Sequence, residues 1–214
     1  DAASAVEVYR KALAASPDKS VAVVTVGYAT NLRDLLESGA DDISPLTGKQ
    51  LVAQKVDRWV CMGGRYPEHL DPGEFGNFKP DPKAILAAVE GWPTTIYFSG
   101  DGEKLGTGGR LEETPKDNPV RRIYELYLGD VKKTRPSWDL VALLFAVQPD
   151  APWWTITDQG YNHIFENGTN QWRSEPDRDQ VLFQIKPGGE KNVTKILDSL
   201  MTRGPDGAVD DAGR

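Results

Sequence analysis

Cysteine and histidine are almost missing from this chain, which has one cysteine, Cys61, and two histidines, His69 and His163, in 214 residues. A single thiol forms no intramolecular disulfide, so no covalent staple holds the fold; this suits a reducing compartment without fixing one. Neither histidine has a second metal-type ligand at zinc or helical spacing, which argues against a zinc centre and a Ser-His-Asp triad. No apolar run approaches the roughly 20 residues of a membrane-spanning helix, so no membrane partner is expected. Blocks of positive charge are absent too. With 25 Lys and Arg against 32 Asp and Glu, net charge −7, the chain offers no basic face for a nucleic-acid polymer. Signal and transit peptides are not legible. The first residue is Asp1 rather than Met, and "DAASAVEVYRKALAA" already reads as helix. Residues upstream are therefore expected, which leaves the compartment open.

What is present is ordinary for a globular domain: 39% hydrophobic and 27% charged residues. Val6, Tyr9 and Leu13 share one helical face. "VAVVTV" (21–26) reads as a strand buried on both faces, and "GYATN" turns it into the helix "LRDLLES". A further helix, "TGKQLVAQKV", leads to the strand "RWVCM" (58–62), which ends at Gly63 and Gly64. Beyond the polar loop "RYPEHLDPGEFGNFKP", Asp81 and Pro82 form a helix start. That helix feeds strand "TTIYF" (94–98). Asn118-Pro119 starts "VRRIYELYL", and "RPSWDLVALLFAV" (135–147) follows as an apolar helix. After residue 150, short aromatic-rich segments precede a final helix near 190–202. Strands alternating with helices predict an α/β fold, a mostly parallel sheet with helices on both faces. One domain is expected over 1–202, with 203–214 a disordered tail.

Two features carry candidate chemistry. The glycine-rich loop "GDGEKLGTGG" follows a strand, but no helix opens from it, no Gly-Lys-Ser/Thr is present and Pro115 interrupts; it reads as a flexible surface loop. Asp139, the one acid in 135–147, stands at the mouth of the apolar run. Ser137 or Asp139 capping the helix is one explanation, with the acid favoured by the dipole.

A second explanation comes from the segments taken in order. "SVAVVTVGYATNLRDLLES", "VDRWVCMGGRY", "GEFGNFKPDPKA", "WPTTIYFSG" and "RPSWDLVALLFAVQPD" together resemble the inosine-uridine-preferring nucleoside hydrolase family, over residues 1 to about 200. The resemblance implies cleavage of the N-glycosidic bond of ribonucleosides, a small-molecule substrate of purine and pyrimidine salvage, with a calcium ion that activates water. It implies that Asp139 and the main-chain carbonyl of Val26 bind calcium. Glu74 and Asn77 would hydrogen-bond the ribose hydroxyls, Met62 would line the sugar pocket, and a homo-oligomer is allowed. Asn31 also matches, though it reads first as a turn or cap residue.

The sequence departs from the family in four places. The family's Asp-Thr-Asp strand, which supplies the general base and most calcium carboxylates, has no counterpart, so no catalytic base is named and an incomplete N-terminus is expected. Where many members carry a proton-donating histidine, Trp138 stands, which can stack on a base but not act as an acid. Gly76 adds a residue between Glu74 and Asn77. The loop after "MGG" is shorter, and Glu68 lies nearest to the family's sugar-binding asparagine. The expected function is hydrolysis of ribonucleosides by the complete protein. The alternatives are a non-catalytic nucleoside- or ribosyl-binding relative and a hydrolase of another ribosyl compound.

Overall fold

The computed structural model describes residues 2–71 and 76–204. In chain order its elements begin with α1 (Ala5–Ala15), β1 (Val21–Thr25), α2 (Thr30–Glu37), α3 (Gly48–Lys55) and β2 (Val56–Met62). Next come β3 (Glu68–His69), α4 (Pro82–Gly91), β4 (Thr95–Ser99), β5 (Gly106–Thr107), α5 (Pro119–Leu128) and β6 (Arg135–Pro136). The chain finishes with α6 (Trp138–Val147), β7 (Trp154–Thr157), β8 (Tyr161–Ile164), β9 (Asn170–Arg173), β10 (Gln180–Ile185) and α7 (Glu190–Met201). The fold is mixed α/β around a mostly parallel sheet, in the order β1-β2-β4-β10-β7. Three of its pairings, β1 with β2, β2 with β4 and β4 with β10, are parallel. The chain divides into two compact units, 1–100 with 155–184, and 101–154 with 185–214. From residue 205 onward the expected tail lies outside the described residues.

In the first unit the sheet explains its own sequence. β2 has neighbours on both sides and buries Trp59, Val60 and Cys61 in succession, the pattern of a strand covered on two faces. β1 departs from that expectation. It lies at the sheet edge, and only Val23 and Thr25 are buried while Ala22 is exposed. Valine richness reported strand propensity there, not two-sided burial. Trp59 places its ring 4.8 Å from that of Trp92 and donates its indole N–H to Thr25 Oγ1 at 2.8 Å, so a large apolar body is buried with its polar tip satisfied. Burial raises the Cys61 thiol to about 12, which leaves it a protonated core group.

Helix starts follow the sequence closely. Asp81 Oδ1 accepts from the Ala84 N–H at 3.1 Å with Pro82 opening α4. Its other oxygen accepts from Thr30 Oγ1 at 2.8 Å, tying α4 to α2. That hydrogen bond, with Arg33 nearby, holds the Asp81 carboxyl below the usual range. Thr47 and Gln50 cap α3 reciprocally, and Asn118 caps α5 through Val120 and Arg121. Asn31 is no cap: it lies inside α2, whose capping position is Ala29. Arg10 on α1 is 1% exposed. It binds both Asp41 oxygens at 2.7 Å and the Ser44 and Leu46 carbonyls, so the guanidinium is buried with its donors engaged.

The remaining strands of this unit form a small antiparallel sheet, β3-β9-β8. In the second unit, α6 buries Val141, Ala142, Leu144, Phe145 and Ala146 and leaves Leu143 and Val147 exposed. Phe145 meets Trp154 edge to face, with ring centroids 5.5 Å apart.

Candidate functional site

In the first unit, β1 and β2 bring Val26 and Met62 to the carboxyl ends of neighbouring parallel strands, where α/β folds bind ligands. Val26 follows β1 and is 44% exposed; Met62 ends β2 and is half-buried. Asn77 joins Met62 directly. Its Nδ2 donates to the Met62 carbonyl at 2.9 Å and lies 3.6 Å from the Met62 sulfur. Behind that contact the Gly63 N–H donates to Ser99 O at 3.0 Å. The buried Phe78 ring occupies the space where a Cβ on Gly63 would go. Glu74 lies outside the described residues. Glu68 is engaged elsewhere, with Gln171 Nε2 donating to it at 3.1 Å in the small sheet.

Trp138 and Asp139 open α6 in the second unit. The capping explanation fails on geometry. Ser137 occupies the cap position, yet it makes no side-chain cap bond, and its hydroxyl pairs with Thr107 Oγ1 at 2.6 Å. Asp139 accepts no hydrogen bond and forms no ion pair among the described residues. Its side chain is exposed, but the surrounding protein still displaces enough water to push the carboxyl above the usual range, with Arg135 opposing weakly. An acid in the first turn keeps its dipole benefit without a partner of its own.

The glycine-rich loop is packed, which corrects the surface-loop reading. Leu105 and Thr107 are buried, and β5 pairs with β6. Gly102 has φ +133° and accepts the Ser137 N–H at 3.0 Å, and a Cβ there would collide with the Trp138 backbone. Gly108, at φ +102°, lies against the Tyr124 ring and donates its N–H to Asp198 at 2.8 Å. Its glycines let the loop pass close to α5 and to the start of α6, a role that composition alone does not distinguish from phosphate binding.

Calcium takes about 6–8 oxygen ligands, several of them carboxylates. Among the described residues no three His, Cys, Asp or Glu side chains come together to hold a metal ion. Asp139 with the Val26 carbonyl does not fit a firmly held calcium ion.

No family model matches the sequence, and no curated protein matches it. Solved structures do. A plant nucleoside hydrolase superimposes with a TM-score of 0.64 at 15% identity, covering 94% of this chain and 67% of its own. The chain has a nucleoside hydrolase fold. A purine-preferring ribonucleoside hydrolase from Gardnerella vaginalis gives 0.63 at 14% identity, with the same shares covered. The inosine-uridine-preferring nucleoside hydrolase from Bacillus anthracis gives 0.56 at 16%, covering 92% of this chain and 66% of its own. The chain thus spans about two thirds of the length of each nucleoside hydrolase structure.

Proposed function

We propose that this chain recognises ribonucleosides and carries the sugar-facing part of an N-glycosyl hydrolase. One observation carries the reading. A chain with this fold places an amide, Asn77, against Met62 at the carboxyl end of the interior strand β2. Asn77 uses its amide nitrogen on the Met62 carbonyl, which orients the side chain and leaves its Oδ1 as an acceptor for a ribose hydroxyl. Met62 supplies an apolar, polarisable surface for the sugar ring. Glu74, three residues earlier in the same loop, is proposed as a second acceptor for the hydroxyls.

For Asp139 the proposed role is that of a carboxylate available to a ligand, since none of the described residues uses it. Trp138 is proposed to stack on the nucleobase. Calcium and the water it would activate need carboxylates beyond Asp139, so turnover by these residues alone is not expected. A ribosyl-binding protein without catalysis is the second reading, favoured by the same absence of an acidic cluster among the described residues.

The test is to titrate the 214-residue chain with inosine and uridine, with and without calcium, while assaying released ribose. Binding of both nucleosides without ribose release, and calcium affinity no tighter than about millimolar, is the expected result. Binding of neither nucleoside would overturn nucleoside recognition. Ribose release by this chain would place the catalytic base among residues other than those assigned to the site.

A further inference from the structure

The turn that follows β2 is held by side chains from a distant hairpin. Asn170 on β9 is 0% exposed and Asn162 on β8 is 2% exposed. Asn170 treats the Arg65 peptide groups as a strand partner would. Its Oδ1 accepts from the Arg65 N–H at 3.0 Å, and its Nδ2 donates to the Arg65 carbonyl at 3.0 Å. The same nitrogen donates to Asn162 Oδ1 at 3.1 Å. Asn162 Nδ2 in turn donates to the Tyr66 hydroxyl at 3.1 Å, and that hydroxyl donates to the Gly63 carbonyl at 2.9 Å. The chain of bonds leaves the turn at Arg65 and returns to it at Gly63.

Glycine is required where this brace is tightest. Gly64 has φ +77°, and a Cβ there would stand 2.6 Å from Asn170 Oδ1. From the other side, a Cβ on Gly100 would stand 2.5 Å from the Gly64 carbonyl. Burial keeps the Tyr66 hydroxyl protonated, well above its ordinary pKa, so it remains a donor.

Filling this space would need only apolar side chains. Two buried amides and a phenol, each paired in sequence, instead fix the orientation of individual peptide groups, because an unpaired member is costly in a low-dielectric interior. The peptide groups so fixed adjoin Met62, whose carbonyl receives Asn77 at 2.9 Å. We propose that Asn162 and Asn170 are positioning residues that set the Met62 carbonyl, and through it Asn77, for ribose recognition. Their purpose, though not their geometry, rests on the proposed recognition of nucleosides.

The experiment compares wild type with Asn170→Leu, Asn162→Leu and Tyr66→Phe, which remove the polar links while keeping volume. Amide hydrogen exchange is measured by residue, and inosine is titrated into each protein. The expected result is that exchange at Gly63 to Tyr66 rises at least about tenfold more than at Trp59 and Val60, with inosine affinity lowered about tenfold, the effect of losing roughly one buried hydrogen bond's geometry. Tyr66→Phe deletes one hydroxyl and should give a smaller effect of the same pattern, so the comparison survives if an asparagine variant does not fold. Equal acceleration throughout the first unit, or unchanged inosine affinity despite a loosened turn, would overturn the proposal. If wild type binds no inosine, the nucleoside reading falls, and the exchange pattern alone decides whether the two asparagines position the turn.

Discussion

The strand-end turn of the first unit and the helix start of the second hold their polar groups in opposite ways. Around Gly63 to Tyr66, each polar side chain of the brace answers a named peptide group or another side chain. At the start of α6 the cap side chain is turned to Thr107, and Asp139 is left without a partner among the described residues. Satisfied groups specify geometry; an unsatisfied carboxylate is tolerated because it still meets water. The contrast teaches that positioning and ligand contact are separate tasks, the first suited to buried amides and the second to a solvated acid.

The largest expected effect comes from breaking the close packing at α6. Gly102→Ala must place a Cβ against the Trp138 backbone at φ +133°, and we expect a stability loss of about 3 kcal/mol, read by urea denaturation. Asn170→Ala should cost about 2 kcal/mol, since it strands the Arg65 N–H and carbonyl and one Asn162 acceptor. A loss below that of an ordinary surface substitution would show that water replaces the amide and that the first unit is not braced as described.

Asp139→Asn should act in the other direction and more weakly. A carboxyl whose folded pKa is raised binds its proton more tightly when folded, so its native-state cost grows as pH rises through that pKa. Removing the charge should raise Tm by about 1 °C at pH 7. The gain should vanish below the ordinary carboxylate pKa of about 3.9. A lowered Tm at pH 7 would mean that the dipole benefit outweighs the desolvation, and the contrast between the two regions would narrow. The smallest effect concerns β1, which pairs only with β2 among the described residues and carries no Lys or Pro within Val21–Thr25. Ala22→Lys should leave stability nearly unchanged and reduce self-association in sedimentation, because charge discourages edge pairing.

Much of the fold was legible because its signals are local. Asp81-Pro82 and Asn118-Pro119 opened α4 and α5 as expected, and the runs 21–26, 58–62 and 94–98 became parallel strands. What failed depended on neighbours in space. Nothing in "VAVVTV" says which strand is the edge, and nothing in "GDGEKLGTGG" says that Gly102 must clear Trp138. Of the candidate site, Met62 with Asn77 was visible as a pair of motifs. Asn162 and Asn170 were not, because Asn170 pairs with the Arg65 peptide groups and Asn162 with the Tyr66 hydroxyl, each about 100 residues away, and neither carries a local spacing rule. Arg10 was hidden in the same way: on an amphipathic helix it reads as solvated, and only the loop containing Asp41 makes its burial tolerable.

Ribose recognition at the Met62–Asn77 rim is the central claim, and inosine-induced chemical-shift changes across the assigned protein test it most directly. The account predicts a saturable response concentrated at the Met62 and Gly63 amides and the Asn77 side-chain amide, abolished in Asn77→Ala with the fold retained. A saturable response centred elsewhere, with Met62 and Asn77 silent, would contradict it.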